Sequence, residues 1–310
     1  MTRLLPVDLA PAQAVAALER SLLDGVDPER CPPRSHVPVP AGELLLMPAA
    51  DSRYAGVKIA GVAPANPGRG LPRITGGYLL LDGSTLQPLA YFDGAALTAL
   101  RTPAVTALAM RRLAAPDAGH LVLFGAGPQA YGHLDALRTI RPLTRLTVVT
   151  RSAESAGPLV GYARTLGLAA EAGTPEAVAA ADLVVCCTSA RGPLFAGGLV
   201  PARAAVAAIG SHRPDAREVD TALVVRSARY VEARAVALRA AGDLVIPLGE
   251  GAIAAGEPLA NLSELVRGTA VVPQGRPRFF KSIGMAWQDL AVAAAQYEAV
   301  RARETVPPSP

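Results

Sequence analysis

Gly125, Gly127 and Ala130 stand in the run FGAGPQA at the spacing GxGxxA, directly after the apolar segment HLVLF and directly before a helical segment through HLDALRTI. Glycine at the first two positions lets the backbone turn tightly and approach a pyrophosphate. The small third residue lets the helix pack on the strand, and the helix N-terminus faces the anion with its unpaired N–H groups. A bare GxGxx(G/A) carries little weight in a chain with 29 glycines; the strand-loop-helix setting is what identifies a dinucleotide loop, with Gln129 inside it. At the end of the next strand, RLTVVT, an acidic residue would take the ribose 2′-hydroxyl of NAD, but the sequence has Thr150, Arg151 and Ser152. An Arg flanked by hydroxyls suits a 2′-phosphate, so NADP(H) is favoured over NAD(H). The Arg-rich composition keeps a plain exposed strand-end Arg as the alternative. Thr188 and Ser189 close the strand DLVVCCT and are expected near the cofactor at the carboxyl edge of the sheet, or as turn caps.

The elements around this loop change character along the chain. Residues 37–93 alternate short apolar runs with Gly and Pro (GELLLMP, GVKIAGV, GGYLLLDGS, LAYFDG), the texture of a mostly antiparallel sheet. From Ala95 the period becomes helical, and Thr102 and Pro103 fit an N-cap and a first helical position, which would set Arg101 beside an anion-attracting helix end. From His120 to Val231 strands and helices alternate, with near-continuous apolar strands, as in a parallel sheet covered on both faces. The segment FFKSIGMAWQDLAVAAAQYEAVRAR ends in an amphipathic helix, and the PPSP tail is expected to be frayed. The fold class is therefore α/β. A Rossmann doubly wound parallel-sheet domain is joined to an α+β domain.

Composition narrows the partners. With 310 residues, 51% hydrophobic and 18% charged, the chain has ample apolar surface for two cores. Its formal charge of +4 is spread along the sequence, which does not favour a nucleic-acid surface. The N-terminus reads as an amphipathic helix starting near Pro11, not as a secretory signal, and no apolar stretch reaches the roughly 18 residues needed to span a bilayer. No membrane partner and a cytoplasmic location are expected. Cys31, Cys186 and Cys187 are odd in number and two are adjacent, so neither a disulfide framework nor a CxxC site is expected. His36, His120, His133 and His212 form no ligand spacing with each other or with the cysteines and carboxylates, and no metal is expected.

The motifs Met47-Pro48, GVKIAG, APANPGRGLP, LTALRTPAVTALA, FGAGPQA, GSHRPDAREVD and KSIGMAWQDLA, in this order, resemble the ornithine cyclodeaminase and mu-crystallin family, which also holds alanine dehydrogenases and ketimine reductases. The likeness runs from about Arg34 to Tyr297. It implies a substrate-binding and dimerisation domain from residues 1–115 and 290–310, a Rossmann domain over 116–289, and a homodimer. It implies that Arg34, Lys58 and Arg101 grip a substrate carboxylate and that Ser282 and Gly284 close over the nicotinamide, and Leu45 and Met47 suggest an apolar substrate wall. A carboxylate held beside a nicotinamide does need a fixed cation. Lys58 adds its own signal, because it and Lys281 are the only lysines among 30 basic residues, and it lies between apolar Val57 and Ile59. Asp289 is expected to be structural.

Two departures redirect the chemistry. Where cyclodeaminases carry an Asp that meets the substrate amine, this chain has His212; where they carry an acidic residue ahead of Met-Pro, it has Leu45. A side-chain ammonium would be buried without carboxylates, which is costly. Arg213, Pro214 and Asp215 are retained. The expectation is an NAD(P)H-dependent reductase of a small 2-imino acid, a ketimine or cyclic imine carboxylate, with His212 donating or relaying a proton near neutral pH or else lining the pocket wall. The alternatives are an ornithine cyclodeaminase, an alanine-dehydrogenase-like enzyme, and a non-catalytic NADPH-dependent binding protein.

Overall fold

A computed structural model describes residues 3–305; the PPSP tail lies outside the described residues. The chain forms two compact units, one containing the residues up to Val105 together with those from Gly284 onward, the other Thr106–Ile283.

The first unit opens with β1 (Arg3–Leu5) and α1 (Pro11–Leu23), followed by β2 (Ser35–Val39), β3 (Gly42–Ala50), β4 (Tyr54–Val62), β5 (Ile74–Asp82) and β6 (Pro88–Asp93). The strands make one sheet in the order β1-β6-β5-β4-β3-β2, antiparallel except for the β1–β6 pair. Successive strand residues face opposite sides, and the register puts Met47, Lys58, Tyr78 and Phe92 in one transverse row. All four are buried. The final helix, α9 (Ala286–Thr305), packs on β3, β4 and β5 from this side, and α1 packs on it in turn. Gly56 permits the row, since a Cβ there would overlap the Tyr78 hydroxyl. The opposite face keeps an apolar strip open, with Leu4, Tyr91, Ile59 and Val37 all exposed.

After β6 the chain turns directly into α2 (Gly94–Leu113), which contains Pro103 in its interior. The helix start expected at Thr102–Pro103 is therefore corrected. Asp93 Oδ1 accepts the Ala96 N–H at 2.7 Å, and Gly94 fits where a Cβ would come within 2.9 Å of the Gly76 backbone. These two features start the helix about two turns earlier. Pro103 costs one backbone hydrogen bond in a helix whose next residues, Ala104 and Val105, are fully buried. Arg101 thus lies inside α2 and not beside its N-terminus.

The second unit runs β7 (His120–Phe124), α3 (Pro128–Arg138), β8 (Arg145–Val149), α4 (Ala153–Thr165), β9 (Ala169–Ala172), β10 (Leu183–Cys186), β11 (Ala205–Ala208), α5 (Thr221–Arg226), β12 (Ala228–Val231), α6 (Arg234–Ala240), α7 (Gly242–Gly249), β13 (Ala260–Asn261), α8 (Leu262–Arg267) and β14 (Arg278–Lys281). All eight strands pair in parallel, in the order β13-β12-β14-β11-β10-β7-β8-β9. Strand order reverses between β7 and β10, where open parallel sheets bind their ligands at the carboxyl edge. Val122, Val184, Val206 and Phe279 belong to one core cluster across the sheet. The run FFKSIG, read in sequence as a lead-in to the last helix, instead ends a strand, β14, inserted between β11 and β12. The chain then returns to the first unit as α9 (Ala286–Thr305).

Replacing Gly94 by Ala should lower the unfolding free energy by about 1–3 kcal/mol through overpacking against Gly76, measured by urea denaturation. An unchanged midpoint would show that the start of α2 tolerates the Cβ.

Candidate active site

In the first unit, alternation along β4 turns Lys58 inward, and its ammonium meets three elements. It donates to the Thr98 hydroxyl on α2 and, at 3.0 Å, to Asp289 Oδ1 on α9. Thr98 passes the chain on, donating to Gly94 O at 2.6 Å. Arg101, about one turn after Thr98, brings Nε within 3.3 Å of the same Asp289 oxygen and donates from Nη1 to Gln288 Oε1 at 3.1 Å. Arg34, on the segment before β2, donates from Nη2 to Gly284 O at 2.9 Å. Gly284 has φ +79°, and a Cβ there would stand 2.9 Å from Arg101 Nη1, so a side chain is excluded where the guanidinium lies. The structure therefore gathers Arg34, Lys58, Arg101 and Gly284 around one buried carboxylate. Met47, paired with Lys58 across the β3–β4 ladder, is buried, and Leu45 is half-buried.

Charge in this cluster is unbalanced. Lys58 and Arg101 both contact Asp289, which is wholly buried, and Arg34 lies close enough to act on Lys58. Burial holds the Lys58 pKa below its ordinary value, Asp289 pushes it up, and Arg101 and Arg34 push it down again. Such a set has a surplus of positive charge and donors, the requirement for holding an anionic group.

In the second unit the glycine loop joins β7 to α3. Gly125 has φ +105°, and a Cβ would come within 2.8 Å of Cys187 O, so only glycine fits. Gly127 caps α3 without a side-chain hydrogen bond and is exposed, and a Cβ there would meet nothing within 4 Å. Ala130 is buried against the core, and Gln129 is half-buried. Open space over unsatisfied helix N–H groups is what a pyrophosphate fills, so these residues fit a dinucleotide. At the end of β8, Arg151 and Ser152 are exposed, while Thr150 donates its hydroxyl to Ser152 O at 2.6 Å and Ser152 shares a hydrogen bond with Ser155.

Strand ends beyond the loop are organised by groups that the sequence did not single out. Glu218 Oε1 accepts both the N–H and the hydroxyl of Thr188, each at 2.8 Å, and Oε2 accepts the Gly210 N–H at 2.7 Å. Asp243 Oδ1 in turn accepts the Glu218 and Val219 N–H groups, and Asp243 Oδ2 lies 2.9 Å from Lys281 Nζ. Burial raises the Glu218 pKa, while Lys281 and the Thr188 hydrogen bonds draw it down. Lys281 carried the same signal of scarcity as Lys58, which was the available clue. Ser189 is exposed beside Thr188. Ser282 is buried and donates to Glu232 Oε1 at 2.8 Å, so its hydroxyl is engaged inside this unit. His212 is exposed in the loop after β11, followed by a surface ion pair of Arg213 with Asp215. Burial raises the thiol pKa of Cys186 and Cys187, which makes both poor nucleophiles. No group of three or more metal-ligating side chains occurs among the described residues.

A family model described as the ornithine cyclodeaminase/mu-crystallin family matches residues 10–304. The chain belongs to this family. It is 32% identical over 260 residues to a Delta(1)-pyrroline-2-carboxylate reductase of Colwellia psychrerythraea, an alignment covering 82% of each chain. Among solved structures it resembles the Thermococcus litoralis Delta(1)-pyrroline-2-carboxylate reductase in complex with NADH and L-proline, at 28% identity and a TM-score of 0.90 over 99% of this chain and all of that one. It also resembles an archaeal alanine dehydrogenase dimer with bound NAD, at 26% identity and a TM-score of 0.91 over 99% and 98% of the two chains. The α/β, Rossmann-type fold class expected from the sequence is the fold of these proteins.

One titration tests how α3 is anchored. His133 is buried, with Nδ1 2.7 Å from Gln129 O and Nε2 3.0 Å from Thr106 Oγ1. The carbonyl can only accept, so Nδ1 carries a proton. Burial lowers its pKa from 6.5 to about 4. Protonation then favours the unfolded chain, and stability is lost as pH falls from about 6.5 to about 4, with a slope of up to about 1.4 kcal/mol per pH unit. His133→Gln should flatten that slope in urea melts across the window; equal slopes for both proteins would refute the assignment.

Proposed function

We propose that this protein reduces small 2-imino acids to amino acids with NAD(P)H. The observation that carries the reading is the built cluster of Arg34, Lys58 and Arg101 around Asp289, a cradle with surplus positive charge in a chain that also has a dinucleotide-type glycine loop. The reduced nicotinamide supplies the hydride to the C=N carbon. The nitrogen takes one proton, so the imine, the hydride and the proton together yield the amine. Lys58 and Arg101 orient the substrate carboxylate through charge-assisted hydrogen bonds, and Arg34 closes the third side. Met47 and Leu45 supply apolar contacts for the ring or side chain. His212, on an exposed loop after β11, is the residue assigned to proton donation. The substrate class is a cyclic 2-imino acid of the pyrroline- or piperideine-2-carboxylate type, supported by the named activity of the Colwellia relative and by the L-proline in the Thermococcus structure. Ornithine cyclisation is disfavoured. A substrate ammonium would add a fourth cation where Asp289 already serves two, and neither Leu45 nor His212 offers a carboxylate.

Within this reading the cofactor is NADP(H) in preference to NAD(H), on the strength of exposed Arg151 and the absence of an acidic residue at positions 150–152. The chain acts as a homodimer through the open apolar face of the six-stranded sheet, where Leu4, Tyr91, Ile59 and Val37 are exposed. The archaeal alanine dehydrogenase, similar over its whole length, is a dimer. No helix among the described residues is long and apolar enough to cross a membrane.

Three measurements check these statements. Reduced nicotinamide should be consumed with cyclic 2-imino acids, and Lys58→Ala or Arg101→Ala should raise KM at least about tenfold; ammonia release from ornithine without imine reduction would replace the reading with a cyclodeaminase. Arg151→Ala should lower the NADPH-over-NADH ratio of kcat/KM by about tenfold, and a ratio below one in the wild type would overturn the NADP(H) preference. Ile59→Arg combined with Tyr91→Arg should give a monomer by sedimentation, whereas an unchanged mass would move the interface elsewhere.

A further inference from the structure

We propose that Asp289 is the positioning residue of the carboxylate cradle, its one oxygen Oδ1 holding Lys58 and Arg101 as a fixed, charged pair before the substrate arrives. The proposal rests on the reading that these two cations grip a carboxylate. Oδ1 lies 3.0 Å from Lys58 Nζ and 3.3 Å from Arg101 Nε, and the Asp289 side chain is wholly buried. The cations come from different elements, β4 and α2, and α9 supplies the carboxylate that both contact. The two oxygens are used unequally. Oδ1 meets both cations, and Oδ2 accepts no hydrogen bond among the described residues. Lys58 spends two of its three donors on Thr98 and Asp289. The remaining donor is left for another acceptor.

Charge dictates the consequence. Facing Lys58 are Arg34 from the segment before β2, Arg101 from α2, Asp289 from α9, and the neutral Met47 and Tyr78 from β3 and β5. Asp289 is the sole anion in this set. Burial and both arginines push the proton off Lys58, and Asp289 alone opposes them. Without Asp289 the lysine would lose its charge at lower pH, and the cradle would lose both a cation and its alignment.

The chain contains two lysines, so protein labelled with ε-carbon-13 lysine gives two titrating signals, assigned with Lys58→Arg. In Asp289→Asn, Lys58 should titrate at least about one pH unit lower, while Lys281, paired with Asp243 in the other unit, stays unchanged. The KM for a cyclic 2-imino acid should rise at least about tenfold, the alkaline limb of kcat/KM should move to lower pH, and dinucleotide affinity should be retained. Asp289→Glu keeps the charge and should restore the Lys58 titration. If the Asn variant fails to fold, the Glu variant carries the test: a Lys58 titration at the wild-type pH supports the proposal, and a lowered one overturns it. An Asn variant with a lower melting temperature but the wild-type Lys58 titration and alkaline limb would also overturn it. Should Lys58→Ala and Arg101→Ala leave KM unchanged, the carboxylate reading fails by itself, and the lysine titration still reports whether Asp289 sets the charge.

Discussion

A buried positive charge must be compensated where it lies, because taking an ammonium out of water costs several kcal/mol even after relaxation. Both lysine ammoniums of the chain meet that demand with an aspartate. Lys58 and Lys281 are both buried, and each faces an aspartate with no exposed surface, Asp289 and Asp243. Much of the architecture of the first unit follows from the first of these pairs. The sheet must alternate so that Lys58 points inward, the chain must return as α9 to deliver Asp289, and Gly56 and Gly284 must lack side chains so that Tyr78 and Arg101 can lie where they do.

The second unit solves a different problem with similar means. Its dinucleotide-type loop is uncharged, made of backbone N–H groups and glycines, while the rigid support behind it is ionic. Glu218 ties the ends of β10 and β11 together through Thr188 and Gly210. Asp243 fixes the Glu218 backbone, and Lys281 neutralises Asp243. The strand ends are drawn close together as well, since a Cβ on Gly210 would overlap Thr188 O.

What could be read from the sequence follows the range of each interaction. The strands HLVLF and DLVVCCT were legible because a parallel strand covered on both faces is apolar throughout, and the glycine loop because its motif spans six residues, although the approach that demands Gly125 is to Cys187. By contrast, β9 reads AAEA and offers no such run. The start of α2 was misplaced because Thr102-Pro103 imitates a helix N-terminus, while the true start depends on Asp93 and on Gly76, which is distant in sequence. Lys58 could be singled out by its scarcity, but its counter-ion is 231 positions away. Asp289 looks like any acidic residue in the first turn of a helix. Ser282 drew notice as part of a motif, and only the fold reveals that its hydroxyl is engaged with Glu232.

The interrupted layout of the first unit also bears on biosynthesis. Translation runs from the N-terminus, so Lys58 and Arg101 leave the ribosome long before Asp289 exists, with the whole of Thr106–Ile283 made in between. The contiguous second unit can complete its sheet while synthesis continues, because domains fold as units when their segments are available. The six-stranded sheet must wait for the final helix, carrying an inward lysine and arginine without their anion. A nascent chain stalled or clipped before residue 286 would hold one finished unit and one that cannot close.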